Sequence, residues 1–194
     1  MIAIEPQPGN LRHLMQNLEV NGWLDVELWP VGVADKTGLR TLHGASGPSA
    51  SLVKGWAGYS TRFRQTIPMT TLDTLIGQRL DSKRLLIKID VEGAEYSVLL
   101  GAEKTIKRRP RPIWLVEISL SKYHPGGTNL NFEQTFKLFR KYGYSAWGLS
   151  NPLWRVDPVT VERWVREGRT DDDVVNFVFC DPNTGNIPLP FAEQ

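Results

Sequence analysis

The chain has 194 residues, one domain's worth, with 41% hydrophobic and 23% charged residues, which excludes a disordered polymer. Its 23 basic and 21 acidic residues leave a charge of +2, too small to call for a nucleic acid or an anionic membrane as partner. A single cysteine excludes an internal disulfide and a multi-cysteine metal site, and no apolar run nears the ~18 residues of a membrane span. The opening MIAIEPQPGN lacks the basic stretch and apolar core of a secretory signal, so the expected compartment is the cytoplasm.

The first residues are apolar up to Glu5 and predict a short strand, broken by Pro6 and Pro8. Asn10 to Asn21 carries Leu11, Leu14, Met15 and Leu18 at helical spacing, with Gly22 placed to stop it. Val26–Val33 reads as a strand ending in Ala34-Asp35, Lys36-Thr37-Gly38 as a turn and Leu39–Leu42 as a return strand. Residues 44–65 resist assignment. They begin Gly-, Ser- and Ala-rich and continue with Trp56, Tyr59 and Phe63, and read equally as a binding loop or as a surface loop with aromatics tucked beneath it.

Thr66–Met69 predicts a strand, and Thr70-Thr71-Leu72-Asp73 a capped helix with Leu72, Leu75 and Ile76 inward. Leu85 to Val91 is nearly continuous apolar sequence, as in a strand covered on both faces. Ala94 to Lys107 predicts one helix, stopped by Pro110, and Pro112–Ile118 the next strand. Asn131 is the expected cap of a helix with Phe132, Phe136 and Phe139 inward. Tyr144–Leu149 is a strand, Asp157-Pro158 opens a helix that ends at Gly168, and Val174–Cys180 is the last strand.

Strands and helices alternate, which predicts an α/β layered domain over residues 1–194 with a mostly parallel sheet. Ligands in such sheets sit outside the carboxyl ends of the strands. Glu5, Asp35, Asp90 and Glu117 each fall at such an end and are expected on one rim. Ile2, Ile4, Val31, Leu86, Ile87, Ile89, Leu115, Val116, Phe177 and Phe179 are expected buried in one sheet. Lys88 lies inside an apolar run and shares a strand face with Asp90, so a buried ion pair is expected for it. Glu95 falls in the first turn of a helix, where negative charge meets the helix dipole favourably.

Ile4-Glu5-Pro6, Asn17 to Asn21, Val33-Ala34-Asp35, Thr70-Thr71-Leu72-Asp73, Ile87 to Glu95, Gly101-Ala102 and Val116-Glu117-Ile118 together resemble the FkbM family of S-adenosylmethionine-dependent methyltransferases, in order from residue 1 to about residue 120. The resemblance implies the Rossmann-like class I methyltransferase fold, a mostly parallel sheet with a reversed final strand. It implies O-methylation of a hydroxyl on a sugar or polyketide-type small molecule, with S-adenosylmethionine as cofactor. Glu5 would then take the ribose hydroxyls, Asp35 the adenine edge, and Asp90 would lie under the sulfonium. Asp90, Glu117 and the loop residue His124 are the candidate proton acceptors, and Asp90, Glu92 and Glu117 a conceivable but unforced metal set, so none is assigned. The fold also requires a strand and glycine-rich loop ahead of Glu5, yet the sequence contains no Gly-x-Gly. An N-terminally truncated domain is therefore expected, with weak cofactor binding and an exposed sheet edge through which it would self-associate. A catalytically inactive remnant or binding module of the same fold is the alternative, and a nucleotide-dependent dehydrogenase a third reading. The basic cluster from Lys104 to Arg111 follows a helix C-terminus and is read as surface charge, not as a nucleic-acid site.

Overall fold

Pro8 and Pro30 decide how the first third of the chain is divided. The computed structural model describes residues 1–44, 50–150 and 152–183. Strand β1 (Ile2–Ile4) pairs in parallel with β2 (Glu27–Trp29), and helix α1 (Pro8–Val20) connects them. The helix begins ahead of the Asn10 read from the sequence because Gln7 is its cap: the Gln7 side chain accepts the Asn10 N–H at 2.6 Å, and Pro8 takes the first helical position. Val26–Val33 is not one strand. Pro30, with no N–H to donate, separates β2 from β3 (Gly32–Val33), which pairs in another sheet. That sheet has the order β3-β5-β4, with β4 (Gly38–His43) and β5 (Arg64–Thr70) antiparallel. Residues 45–49 of the unassigned stretch lie outside the described residues. Of its aromatics, Trp56 is buried in a 3-10 turn (Trp56–Gly58), while Tyr59 and Phe63 are exposed.

The third sheet has the order β6-β7-β10-β8-β9. Strand β6 (Leu86–Ile89) runs parallel to β7 (Ile113–Glu117). Strand β10 (Asn176–Cys180) lies antiparallel between β7 and β8 (Ser145–Gly148), so the last strand is reversed as expected. Strand β9 (Trp154–Val156) follows β8 antiparallel. Helices α5 (Phe132–Lys141) and α6 (Pro158–Glu167) close one face. There Phe132, Phe136, Phe139 and Trp164 bury against Trp114, Val116, Phe177 and Phe179, and the Phe139 and Phe179 rings stack at 3.9 Å. The Asn131 side chain does not cap α5; its N–H donates instead to Asn129 Oδ1 at 2.9 Å.

The ten residues expected in one sheet are divided among separate sheets and a loop, and not all are buried. Ile2 and Ile4 belong to β1, Val31 lies between β2 and β3, and Leu86 is 68% exposed. Nor is β6 covered on both faces. Ile89 enters the core, whereas Leu86, Lys88 and Asp90 on the alternate face are exposed. Among the described residues β6 pairs only with β7, and β1 only with β2.

The helix expected over Ala94–Lys107 is broken into α3 (Glu95–Leu100) and α4 (Glu103–Ile106). At the break, a Cβ on Gly101 would collide with the carbonyl oxygen of Ala34, so only glycine allows this approach. Helix α4 has no cap of its own. Asp73, in the first turn of helix α2 (Leu72–Ile76), supplies one from outside: its carboxylate accepts the N–H groups of Lys104 and Thr105, each at 2.8 Å, and the Thr105 hydroxyl at 2.7 Å. The Asp73 N–H in turn donates to Gly101 O at 3.0 Å. The Thr-Thr-Leu-Asp and Gly-Ala segments are thus two halves of one joint. Asp73→Ala is expected to cost about 1–2 kcal/mol in urea unfolding, with Asp73→Asn costing less. Equal stability of Asp73→Ala and the unaltered protein would contradict the joint.

Candidate cofactor and acceptor site

Parallel strands deliver their carboxyl ends to the same side, and β1 and β6 do so across an open space. A cavity of about 880 Å³ lies between them. Ile2, Ile4, Ile87 and Ile89 line its walls, with Val33, Met69, Leu72 and Val98 among the deeper apolar residues. Glu5, Asn10, Asp90 and Glu92 line it at the carboxyl ends, and Asp25, Glu27, Arg79 and Arg84 at the other end. The strand expected from the resemblance would belong in this space.

Glu5 and Asp90 both line this cavity, Glu5 after β1 and Asp90 after β6. Glu5 Oε1 accepts the Gln7 N–H at 2.7 Å, and Oε2 lies 3.5 Å from Asn10 Nδ2, which orients the carboxylate at the start of α1. Asp90 Oδ2 is 2.6 Å from Lys88 Nζ. This ion pair is exposed, not buried, because the face of β6 that carries it has no covering layer.

The other expected residues stand apart. Asp35 does not line the cavity. Burial raises its carboxyl, but the Ser97 hydroxyl at 2.9 Å and the Arg40 guanidinium outweigh that and hold it below its ordinary value. Its charge is committed to tying β4 to α3. Glu117 sits off the cavity wall beside Asp90, where burial first and the Asp90 charge second push its carboxyl up. His124 is likewise off the wall. Burial lowers its pKa, and its Nε2 is enclosed with no hydrogen-bond partner among the described residues. Its ring packs edge-on against Trp56 at 4.6 Å. Among the described residues, no group of three or more His, Cys, Asp and Glu side chains is placed to hold a metal ion.

Residues with no place in the site on sequence grounds hold the turn after β6. Trp56 Nε1–H donates to Glu92 Oε2 at 2.6 Å, and the Ser51 hydroxyl donates to Glu92 O at 2.5 Å. The signal for Trp56 was Gly93: at φ +91 it has no Cβ, and a Cβ there would collide with the indole ring. Glu95 closes the same turn from within, its Oε1 accepting the Gly93 N–H at 2.8 Å.

The arrangement is that of a Rossmann-like α/β domain with a cavity that reaches the carboxyl ends of parallel strands. The model of the Methyltransferase FkbM domain matches residues 1–146, so the chain belongs to that family. Among solved structures it is similar to the crystal structure of Methyltransferase FkbM from Methylobacillus flagellatus KT, with a TM-score of 0.51 and 20% identity. That match covers 92% of this chain and 36% of the other, so this chain spans little more than a third of its structural relative. No curated protein matches.

Glu95 makes the turn sensitive to pH. Burial drives its carboxyl up from 4.5 to about 7, against the pull of backbone N–H groups. Because the folded state favours the protonated form, the contribution of this group is greatest below about pH 4.5 and is lost as pH rises through about 7. Glu95→Gln keeps an acceptor for Gly93 and removes the charge. The variant is expected to show a flatter stability profile over this range and to gain up to about 3 kcal/mol over the unaltered protein above it. Parallel profiles in urea unfolding from pH 4 to 8 would refute this assignment.

Proposed function

We propose that this chain is a methyltransferase domain that uses S-adenosylmethionine to methylate a hydroxyl on a sugar or polyketide-type small molecule. The observation that carries the reading is the shared cavity of Glu5 and Asp90, at the tips of two strands, in a chain of the FkbM family. The cavity has apolar walls and polar groups at both ends, with Glu5, Asn10, Asp90 and Glu92 at the carboxyl ends of the strands. The cofactor, when bound, supplies a methyl group on a sulfonium.

Glu5 suits a vicinal diol, because each carboxylate oxygen keeps a lone pair beyond the contacts it already makes. Asp90 presents its carboxylate next to the site of transfer and is kept in place by Lys88. An alcohol acceptor must lose a proton as the methyl arrives. Asp90, which lines the cavity, is the proton acceptor in this reading, and Glu117 stands beside it off the wall. His124 is unsuited in this conformation because its free nitrogen is enclosed. Asp35 has no contact with the cavity and no part in this account.

The acceptor is a small molecule, not nucleic acid or membrane. Among the described residues no helix is long and apolar enough to cross a membrane. Self-association would use the open edge of β6, where Leu86 is exposed. The alternative, an inactive remnant or binding module of the same fold, rests on the lack of any Gly-x-Gly in the sequence and predicts no turnover.

Calorimetric titration with S-adenosylmethionine tests the reading. Glu5→Ala is expected to weaken binding by about 10- to 100-fold, as for lost hydrogen bonds to a charged group, without a matching loss of stability. Unchanged affinity in Glu5→Ala would remove Glu5 from the site.

A further inference from the structure

The turn after β6 is held by more contacts than a strand-to-helix connection needs. Glu92 stands at φ +55, a backbone conformation that residues other than glycine rarely adopt. Trp56 and Ser51, both from the loop between β4 and β5, fix it from outside: the indole N–H takes Glu92 Oε2, the hydroxyl takes Glu92 O, and the ring lies against Gly93. The remaining oxygen, Glu92 Oε1, accepts no hydrogen bond from the described residues, although Glu92 lines the cavity. Strain held in place by its surroundings, on a cavity wall, points to a ligand-facing role.

The other acids on that wall are differently placed. Asp90 is paired with Lys88 at 2.6 Å. Glu27 is paired with Arg79, and with Asp25 it lies at the far end of the strands. Glu5 is across the cavity at the tip of β1. Glu92 is held by the Trp56 indole and forms no ion pair among the described residues.

We propose that Glu92, held in place by Trp56, is the anionic wall that lets this cavity distinguish a cationic sulfonium from the neutral thioether left after methyl loss. The proposal rests on the cofactor reading above. The two ligands differ by a methyl group and one unit of charge. A fixed carboxylate in a partly desolvated cavity therefore acts on one and is nearly indifferent to the other. The consequence is preference for the methyl donor over its product. Trp56 is the positioning residue. Burial, Asp90 on β6 and Glu117 on β7 all push Glu92 towards protonation, whereas the indole N–H and Lys88 oppose it. His124 packs behind the indole and is held towards its neutral form by burial.

The test is the ratio of affinities of the full chain for S-adenosylmethionine and S-adenosylhomocysteine, followed by NMR titration across pH. Glu92→Gln is expected to lose about tenfold for the sulfonium and to hold within about twofold for the thioether. Trp56→Phe keeps a ring over Gly93 but lacks the N–H donor. Its preference is expected to fade at a higher pH than in the unaltered protein as pH falls, because Glu92 without the indole donor ionises later. Equal weakening of both ligands, or of neither, in Glu92→Gln overturns the proposal and leaves the cofactor reading standing. Failure of the unaltered protein to bind either ligand overturns both. If thermal melting shows Glu92→Gln unfolded, Trp56→Phe decides by the same ratio: an unshifted pH dependence overturns the proposal.

Discussion

Strand β6 pairs with β7 along one edge and faces the cavity with the other, and the site depends on that asymmetry. Pairing with β7 fixes its register and direction. Ile89 is thereby set into the core, and Lys88 and Asp90 are turned to the uncovered face. The open edge leaves a space between β6 and β1 that is apolar along its length and acidic at the carboxyl ends. A cavity in the middle of an α/β domain arises here from strand pairing, not from a gap in side-chain packing.

The turn from Asp90 to Glu95 concentrates acids whose surroundings differ. Asp90 is exposed and paired with Lys88, Glu92 is part-buried under an indole donor, and Glu95 is buried against its own backbone. Glu117, on the neighbouring strand, feels the Asp90 charge. Burial pushes the carboxyls of Glu92, Glu95 and Glu117 up, and hydrogen bonds to Glu92 and Glu95 oppose it.

Much of the architecture was legible because it is written in local pattern. The strand at β6, the phenylalanine spacing of α5, the Asp-Pro start of α6 and the strand at β10 were all readable, while the reversal of β10 was implied by the family resemblance. The misreadings came where a distant partner intervened. Nothing local in Ala94–Lys107 shows that Ala34 crowds Gly101 or that Asp73 caps the second half, so one helix was expected where there are two. Pro30 is a local sign that Val26–Val33 is broken, but nothing local shows that Val33 then pairs with Thr70. Covering on both faces was inferred for β6 from composition alone, yet composition does not report which neighbours are present.

Of the candidate site, position along the chain was readable and commitment was not. The sequence by itself determined that Glu5, Asp35, Asp90 and Glu117 follow strands, because strand propensity and turn residues are local properties, and its motifs determined the family. Only the tertiary structure decided which of those carboxylates reach the cavity. Arg40 and Ser97 hold Asp35, Lys88 pairs with Asp90, and Trp56, from a stretch that had no assignment, reaches Glu92 from 36 residues away in the chain. A side chain's hydrogen-bond partners are chosen by through-space distance, and residues far apart in sequence meet only once the chain has folded.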